Sequence, residues 1–262
     1  MDRFQLMTYN IRNMRDDKGL HAWDNRKAHV AALIAARSPD VFCVQEAFWP
    51  QMEYLSGHVP GYASFGVGRD DGAREGEFSA VFYKTARFSL ADGATYWLSE
   101  TPDRPSRGWD ATHNRICTKA VLAPRDGGAA VCVASLHLDN DGVLARRNGA
   151  RLLRELFSAE TEKYQCFIAG DYNAKPDAEP FQIMNQPPFY DARTTADECS
   201  DYASSNGFEP SGLSFGGGPI DHVFYSKGAL RPVIAEILAT KRGGQFPSDH
   251  FPLLCTFSAE AL

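Results

Sequence analysis

The chain has 262 residues, of which 44% are apolar and 23% charged, and its formal net charge is −6. Such a composition is typical of a soluble globular protein and excludes a largely disordered chain. Membrane helices are excluded as well, since no stretch approaches the run of about 20 apolar residues that one needs. The acidic balance argues against an extended nucleic-acid surface, because proteins that bind long nucleic acids contact the phosphates largely through basic residues.

The N-terminus and the cysteines predict a cytoplasmic protein. The first residues, MDRFQLMTYN, enter an alternating pattern at once and lack the apolar run of a signal peptide. None of the six cysteines forms a CxxC pair with zinc-ligand spacing, and five lie in or beside apolar, strand-like runs. We therefore expect buried free thiols and a reducing compartment.

Ten apolar segments are typical of β-strands. In chain order they span residues 4–11, 40–47, 78–83, 87–98, 115–123, 129–138, 165–173, 220–225, 233–238 and 251–258. Helical periodicity is rarer and predicts three helices. The first covers 25–38 with Asp24 as its N-cap, the second covers 143–157, and a short third follows Asp177 as far as Met184.

Many strands, few helices and hairpin-like pairs in the middle of the chain predict an α/β fold. We expect two mixed β-sheets packed face to face, with the helices outside. No repeat, low-complexity tract or long linker divides the chain, so the prediction is one domain over residues 1–262. Loops rich in Gly, Asp and Pro at 68–77, 99–114 and 200–219 are where substrate-selecting residues are expected.

Polar residues recur at the ends of the apolar strands. They are Asn10, Glu46, His137, Asp139, Asp171, Asn173, Asp221, Asp249 and His250. Taken singly, each reads as a turn-former or a solvated edge, and Asp139 with its neighbours reads equally as a helix cap. The joint set has no such explanation, because catalytic groups of sheet enzymes gather at strand ends. The pattern indicates one active site. Asp221 and His222 are expected to open the last hairpin.

The residue types suit phosphoryl chemistry with a magnesium ion. Mg²⁺ prefers oxygen ligands and takes one or two carboxylates, which Asn10, Glu46 and a distal aspartate, Asp249, would supply. The absence of Cys and His at metal spacing speaks against zinc, and Mn²⁺ would be an acceptable substitute.

Attack on phosphorus also needs a base and hydrogen-bond donors. Asp171 can serve as the base for water, and Asn173 and His137 as donors to the phosphoryl oxygens. His250, paired with Asp221, would be held in one orientation and more readily protonated.

Six motifs, MTYNIR, VFCVQE, SLHLD, GDYNAKPD, IDHVFY and SDHFP, occur in this order. The series resembles that of the endonuclease/exonuclease/phosphatase superfamily, a resemblance that implies a four-layer α/β sandwich and hydrolysis of phosphoesters. It also implies roles for particular residues: Asn10 and Glu46 at the metal, Asp171 and Asn173 at the water and phosphate, Asp221 orienting His250, Asp249 in the closing SDH, and His137 on the scissile phosphate. Abasic-site endonucleases carry an aspartate where this chain has Arg12, which disfavours a DNA-repair role.

Further segments resemble a bacterial subgroup distantly related to nocturnin-like and deadenylase-like enzymes. They are WDNRK (23–27), GVGRDDG (66–72), GEFSAVFY (76–83) and residues 96–118. By analogy with this subgroup, Arg69, Glu77, Trp109 and Arg115 would line the substrate cleft, with Asp139 beside them. For Trp109 simple packing is an equal interpretation, whereas an arginine beside a phosphate site can bind it in bidentate fashion.

Four functions are compatible with these features. A hydrolase of small-molecule or sugar-phosphate esters fits the acidic charge best. A nuclease or deadenylase would stack single-stranded bases on Trp49, Trp109 or Tyr96. A lipid phosphodiesterase ranks lower, because no exposed apolar hairpin is visible. A protein that only binds phosphoesters should have lost an active-site acid or histidine, and none is lost.

Overall fold

The computed structural model describes residues 1–209 and 218–259, and within them it forms thirteen strands and five α-helices. The strands are β1 (Arg3–Asn10), β2 (Val41–Ala47), β3 (Tyr62–Phe65), β4 (Phe78–Lys84), β5 (Phe88–Trp97), β6 (Ile116–Pro124), β7 (Val131–His137), β8 (Gln165–Asp171), β9 (Phe189–Asp191), β10 (Glu198–Cys199), β11 (Asp221–Ser226), β12 (Leu230–Ile237) and β13 (Leu253–Ala259). The helices are α1 (Trp23–Arg37), α2 (Trp49–His58), α3 (Val143–Ser158), α4 (Glu179–Met184) and α5 (Ala192–Thr195).

The strands form two mixed sheets. A seven-stranded sheet has the order β10-β12-β13-β1-β2-β4-β3, and a six-stranded sheet has the order β5-β6-β7-β8-β11-β9. Parallel pairs, such as β1 with β2 and β7 with β8, lie among antiparallel neighbours. This arrangement confirms the predicted fold class of two mixed sheets with helices outside.

Three apolar layers hold the fold together, as β1 illustrates. Phe4 and Leu6 point between the two sheets, whereas Met7 and Tyr9 point to the opposite face, where α1 and α2 pack. On the far side of the six-stranded sheet, α3 and α4 cover a third cluster that includes Leu153. Because each fully buried large apolar side chain contributes roughly 1.5–3 kcal/mol, these layers dominate stability.

The same alternation directs the strand-end residues into the space between the sheets. Successive side chains of a strand point to opposite faces. Asn10, His137, Asp171 and Asp221 each lie an even number of residues from side chains of the inter-sheet core on their own strand. They therefore continue that core at one end of the sandwich. A polar layer marks the transition, where Gln45 donates to Ser135 across the sheets at 3.1 Å.

Two local predictions are wrong. Asp24 lies in the first turn of α1, and the residue before that helix is Ala22, whose side chain has no capping group. Asp221 opens β11, but this strand pairs with β8 and β9, whereas the next strand, β12, lies in the other sheet. β11 is buried along its whole length, and burial places it inside a sheet between two partners rather than in a terminal hairpin.

The sequence patterns missed α2, the one-turn helix α5 and the short strands β3, β9 and β10. Helix α2 carries a proline in its first turn, and its apolar residues do not form a clear stripe, so it resembles a loop. The predicted loop 200–219 lies partly outside the described residues, which omit 210–217.

The six cysteines are free and all but Cys199 are buried, as predicted. Among the helices in the described part of the chain, none combines the length and the apolar character that crossing a membrane requires.

Candidate active site

A polar cavity of about 240 Å³ opens at the end of the sandwich where the strand-end residues converge. Nine of the predicted site residues line it: Glu46, Arg69, Glu77, Arg115, His137, Asp171, Asn173, Asp249 and His250. Five further lining residues were not predicted as site residues: Arg12, Asn13, Asp16, His113 and Asn140. The folded chain thus brings together side chains from both sheets.

Asp171 lies at the centre of the cavity floor. In the strand register it faces His137 on β7 and Asp221 on β11. His250 Nδ1 lies 2.8 Å from Asp221 Oδ2, and its Nε2 lies 3.7 Å from Asp171 Oδ2. The histidine is therefore held between two carboxylates, with one edge towards the cavity.

The charges of this trio depend on one another. Burial opposes protonation of His250, but the facing carboxylates of Asp221 and Asp171 outweigh it and raise the pKa of His250 well above its usual value. Burial and the neighbouring Asp221 raise the pKa of Asp171 to about 7. His250 is consequently a cation near neutral pH, beside an aspartate that can accept a proton.

His137 has the opposite character. Burial, together with the positive charge of Arg115, holds the pKa of His137 well below its usual value, so the ring is neutral. Arg115 Nη1 lies 3.2 Å from Nδ1, and Nε2 lies 3.4 Å from Asp171 Oδ2. Next to this edge, Asn173 Nδ2 lies 3.1 Å from Nε2 and donates to the Leu138 carbonyl at 3.0 Å.

Glu46 is positioned by a β-bulge. The register of β2 against β4 shifts between Val44 and Ala47, and Glu46 adopts a φ of 63°. Its carboxylate accepts hydrogen bonds from Asn10 Nδ2 at 2.9 Å and from the Asn13 backbone at 3.0 Å. Although burial opposes ionisation, the hydrogen bond from Asn10 and the charge of His250 lower the pKa of Glu46, so it is an anion.

Asn10 connects Glu46 to Asp171. The same amide nitrogen that donates to Glu46 also donates to Asp171 Oδ2 at 3.0 Å. Arg12 follows two residues later, and its guanidinium lies 3.5 Å from Asp249 Oδ2. The carboxylates of Glu46, Asp171 and Asp249 and the guanidinium of Arg12 therefore line the cavity together.

Three of the lining residues have a left-handed backbone: Arg12 with a φ of 58°, Glu46 with 63° and Asn173 with 46°. Such conformations are uncommon for residues other than glycine and cluster at functional sites. Asn173 is held in this conformation by a hydrogen bond of 2.9 Å from its backbone N–H to Asp171 Oδ1.

Arg69 and Glu77 form an ion pair at another part of the cavity wall. Both side chains are about 90% buried, with 10% and 12% of their surface exposed. Burial raises the pKa of Glu77 to about 7, although Arg69 opposes this shift. Trp97 Nε1 donates to the Arg69 carbonyl at 2.6 Å and so fixes the loop that carries the pair.

Four predicted residues do not line the cavity within the described part of the chain. Asn10 and Asp221 lie behind Glu46 and His250, which they orient. Asp139 lies behind Arg115 and accepts its Nε–H at 3.1 Å, so it positions the arginine. Trp109 is half-buried in the 99–114 loop, where its backbone N–H donates to Glu100, and its predicted role in substrate binding stays a prediction.

The suggested capping role of Asp139 is taken by another aspartate. Asp110 accepts the backbone N–H groups of Leu144 and Ala145 in the first turn of α3, at 3.1 and 2.7 Å. Asp139 instead accepts the N–H of Gly142 just before the helix, at 2.7 Å.

The oxygen-rich floor suits a divalent cation. Ligand atoms of Asp171, Asp221 and His250 lie within 4.8 Å of one another. Because His250 is already hydrogen-bonded to Asp221, we regard this trio as the proton-handling unit. Glu46 and Asp249 line the cavity with carboxylates, the kind of oxygen ligand that Mg²⁺ prefers, and Glu46 is an anion. The Asn10 amide turns Nδ2 towards Glu46, and its Oδ1 accepts the Arg12 backbone N–H at 3.0 Å.

This combination of a carboxylate floor, a protonated histidine and cationic walls defines a hydrolase of phosphoesters. A family model described as "Endonuclease/Exonuclease/phosphatase family" matches residues 7–250. The chain therefore belongs to this family, whose enzymes act on phosphoester bonds and generally depend on a divalent metal.

Two solved structures from Bacteroides thetaiotaomicron are very similar to this one. An endonuclease/exonuclease/phosphatase family protein is 30% identical with a TM-score of 0.92, covering 99% of this chain and 98% of that chain. A mannosyl-6-phosphatase is also 30% identical with a TM-score of 0.89, covering 97% and 99%. Nocturnin of Rattus norvegicus is 24% identical over 279 residues, which is 90% of this chain but only 59% of that protein.

Proposed function

We propose that the protein hydrolyses phosphate monoesters of small molecules, with sugar phosphates as the substrate class. The observation that carries this proposal is the cavity itself, whose volume of about 240 Å³ lies below the roughly 300–1,000 Å³ of pockets for drug-sized ligands. A site of this size suits a single sugar better than a polymer. The 30% identity to a mannosyl-6-phosphatase adds support.

The phosphate would bind over the carboxylate floor, where Asn10, Glu46 and Asp249 would hold a divalent cation that we propose to be Mg²⁺. When bound, this cation supplies Lewis-acid stabilisation of the phosphoryl oxygens. Asp171, with its pKa near 7, accepts the proton of the attacking water. The cationic His250 and the neutral His137 ring would lie next to the phosphoryl oxygens, where negative charge develops.

The sugar would occupy the part of the wall that carries Arg69 and Glu77. Buried ion pairs such as Arg69 with Glu77 offer both donors and acceptors to vicinal hydroxyl groups. His113 and Asn140 line the same cavity and add neutral hydrogen-bonding groups. Arg115, held by Asp139 and Asn140, provides a planar guanidinium beside the phosphate.

A nuclease or deadenylase is the second candidate, because the matched relatives include nocturnin and a CCR4-Not exoribonuclease subunit. The surroundings of the aromatic residues that would stack the bases argue against a nuclease. Trp49 packs against Phe78, with ring centroids 5.9 Å apart, and lies under the Arg74 guanidinium at 4.3 Å. Like Trp109, it does not line the cavity within the described residues.

A substrate panel assayed with Mg²⁺ tests the proposal. It should contain mannose 6-phosphate, glucose 6-phosphate, mononucleotides, inositol phosphates, phospholipid head groups and single-stranded oligonucleotides. We expect the largest kcat/KM on a sugar phosphate, with weak dependence on salt, and turnover at least about 100-fold slower in Asp171→Asn, which controls for contaminating phosphatases. Preference for oligonucleotides, with a rate that falls steeply as salt is added, would overturn the proposal in favour of the nuclease.

A further inference from the structure

Arg26 of α1 is a buried cation that the chemistry above does not use, although it belongs to the WDNRK segment. Its side chain is 2% exposed. The guanidinium lies beside two aromatic rings, 5.4 Å from the centroid of Trp23 and 5.6 Å from that of Phe208. Burying a charge costs free energy unless its hydrogen-bonding groups are satisfied, so the burial of this cation needs an explanation.

All five N–H groups of the Arg26 guanidinium are matched by backbone carbonyls. Nε donates to His21 at 2.6 Å, and Nη1 donates to Ile11 at 2.7 Å and Pro247 at 3.0 Å. Nη2 donates to the remaining two carbonyls, those of Arg12 at 3.0 Å and Asn13 at 3.2 Å. Five donors in one plane are a property of arginine alone, since lysine has three donors on a single atom.

Three of these carbonyls, those of Ile11, Arg12 and Asn13, belong to the loop that contacts Glu46. Residues 11–13 follow directly on Asn10 at the end of β1. Asn13 donates to Glu46 Oε2 twice, from its backbone at 3.0 Å and from Nδ2 at 3.2 Å. Arg26 therefore reaches Glu46 through one residue, Asn13.

The Pro247 carbonyl belongs to the turn that carries Asp249 and His250. In that turn Ser248 Oγ donates to the Asn10 carbonyl at 2.8 Å, which ties the turn to the end of β1. Arg26 Nη1 bridges the same two segments from the opposite side, through Ile11 and Pro247. The Arg26 guanidinium thus adds a second link, beside that of Ser248, between the segments that carry Glu46's partner Asn13 and Asp249.

We propose that Arg26 is a positioning residue for the divalent cation: by clamping the 11–13 loop to the 247–250 turn, it sets the spacing of Asn10, Glu46 and Asp249. This inference rests on the cation site of the proposed function. Outer contacts that orient metal ligands typically change metal affinity by roughly 10- to 100-fold when removed. A change of that size is therefore expected at Arg26, although the residue touches no ligand atom of the ion.

The experiment measures Mn²⁺ binding by electron paramagnetic resonance without substrate, in wild type, Arg26→Lys and Arg26→Met. Arg37→Met is the matched control, because Arg37 lies on the same helix but pairs with Glu236 on the surface, 39% exposed. Glu46→Gln identifies the site, since the binding that is measured must disappear in this variant. Thermal melting and circular dichroism establish that each variant is folded.

We expect Mn²⁺ to bind at least about 10-fold more weakly to Arg26→Met, with Arg26→Lys in between and Arg37→Met unchanged. The Mg²⁺ concentration for half-maximal rate should shift in parallel, while KM for the sugar phosphate changes less. A folded Arg26 variant with wild-type Mn²⁺ affinity would show that the residue serves stability only. If Arg26→Met does not fold, Arg26→Lys decides the question by the same measure.

The test separates this inference from the proposed function. Mn²⁺ binding is measured without turnover, so a protein that binds the ion through Glu46 but hydrolyses no sugar phosphate would refute the substrate class alone. Wild type that binds no Mn²⁺ would refute the positioning role.

Discussion

Asp171 and His250 lie side by side on the cavity floor, and each shifts the pKa of the other. The buried histidine is held as a cation by Asp221 and Asp171, and the resulting positive charge partly offsets the rise in the pKa of Asp171. Neither residue is required by the apolar core, because both stand where the inter-sheet layer ends. Their substitution should therefore affect chemistry much more than folding.

We expect Asp171→Asn and His250→Ala to lower kcat by roughly 100- to 10,000-fold, the usual range for loss of a general acid or base. Steady-state kinetics at saturating Mg²⁺ measures the effect, and circular dichroism checks the fold. Asp103→Asn and His58→Ala change exposed residues of the same types and should leave kcat unaltered. Near wild-type kcat in either active-site variant would remove it from the mechanism.

At the scale of elements, the parallel pair β7 and β8 places His137 opposite Asp171. Gly170 immediately precedes Asp171, and its lack of a side chain permits the close approach of the two strands. A Cβ at this position would lie 2.1 Å from the Leu136 carbonyl oxygen, far inside van der Waals contact. The two strands would have to move apart, which would also displace His137 from its position opposite Asp171.

We expect Gly170→Ala to destabilise the protein by about 1–3 kcal/mol or more, as overpacking of a rigid interior does. Its activity should fall further than its folded fraction, because the active-site register is displaced. Gly57→Ala is the control, since nothing lies within 4 Å of that Cβ. In helix α2 the change to alanine should be neutral or stabilising by up to about 1 kcal/mol. Equal melting temperatures for the two variants would contradict the packing argument.

Sequence patterns predicted the elements that strand alternation controls. The parity of Asn10, His137, Asp171 and Asp221 with the apolar residues of their own strands is visible in the sequence and places all four on the faces that meet between the two sheets. Glu46 is also recognisable as an acid near the end of a strand. The bulge that turns its side chain is not recognisable, because it depends on how β2 pairs with its partner strand β4.

Loop residues of the cavity were beyond such patterns. Arg12, Asn13 and Asp16 follow β1 without any periodicity, and they line the cavity in a loop whose carbonyls accept hydrogen bonds from Arg26. His113 and Asn140 come from separate loops that Asp139 draws together through Thr112 and Arg115. One signal was available: Arg12 follows Asn10 within the MTYNIR motif and therefore had to lie near the site.

At the scale of the whole molecule, the acidic net charge of −6 contrasts with a cavity that carries Arg12, Arg69 and Arg115. Three arginines thus lie where a phosphate would bind, among the five carboxylates that line the same cavity. The three apolar layers that hold the sandwich together lie away from the carboxylate floor. Folding and cation binding are therefore expected to be separable.

This separation predicts the response to metal removal. EDTA should stop turnover while the fold persists, and Mg²⁺ or Mn²⁺ should restore activity. Because a ligand that binds only the folded state stabilises it by mass action, about 2.7 kcal/mol at 100 times Kd, saturating Mg²⁺ should raise the melting temperature by roughly 5–10 °C.

Glu46→Gln should lose this thermal response and require far more Mg²⁺ for activity, since it removes the carboxylate charge while preserving shape. Differential scanning calorimetry across a Mg²⁺ titration measures both proteins under identical conditions. Zn²⁺ as the sole restoring ion would contradict the argument from oxygen ligands, because the proposed ligand residues Asn10, Glu46 and Asp249 include neither a thiolate nor an imidazole. If the Mg²⁺ titration of Glu46→Gln is unchanged, the cation binds elsewhere. The positive charge that stabilises the phosphoryl oxygens would then come from that other site as well.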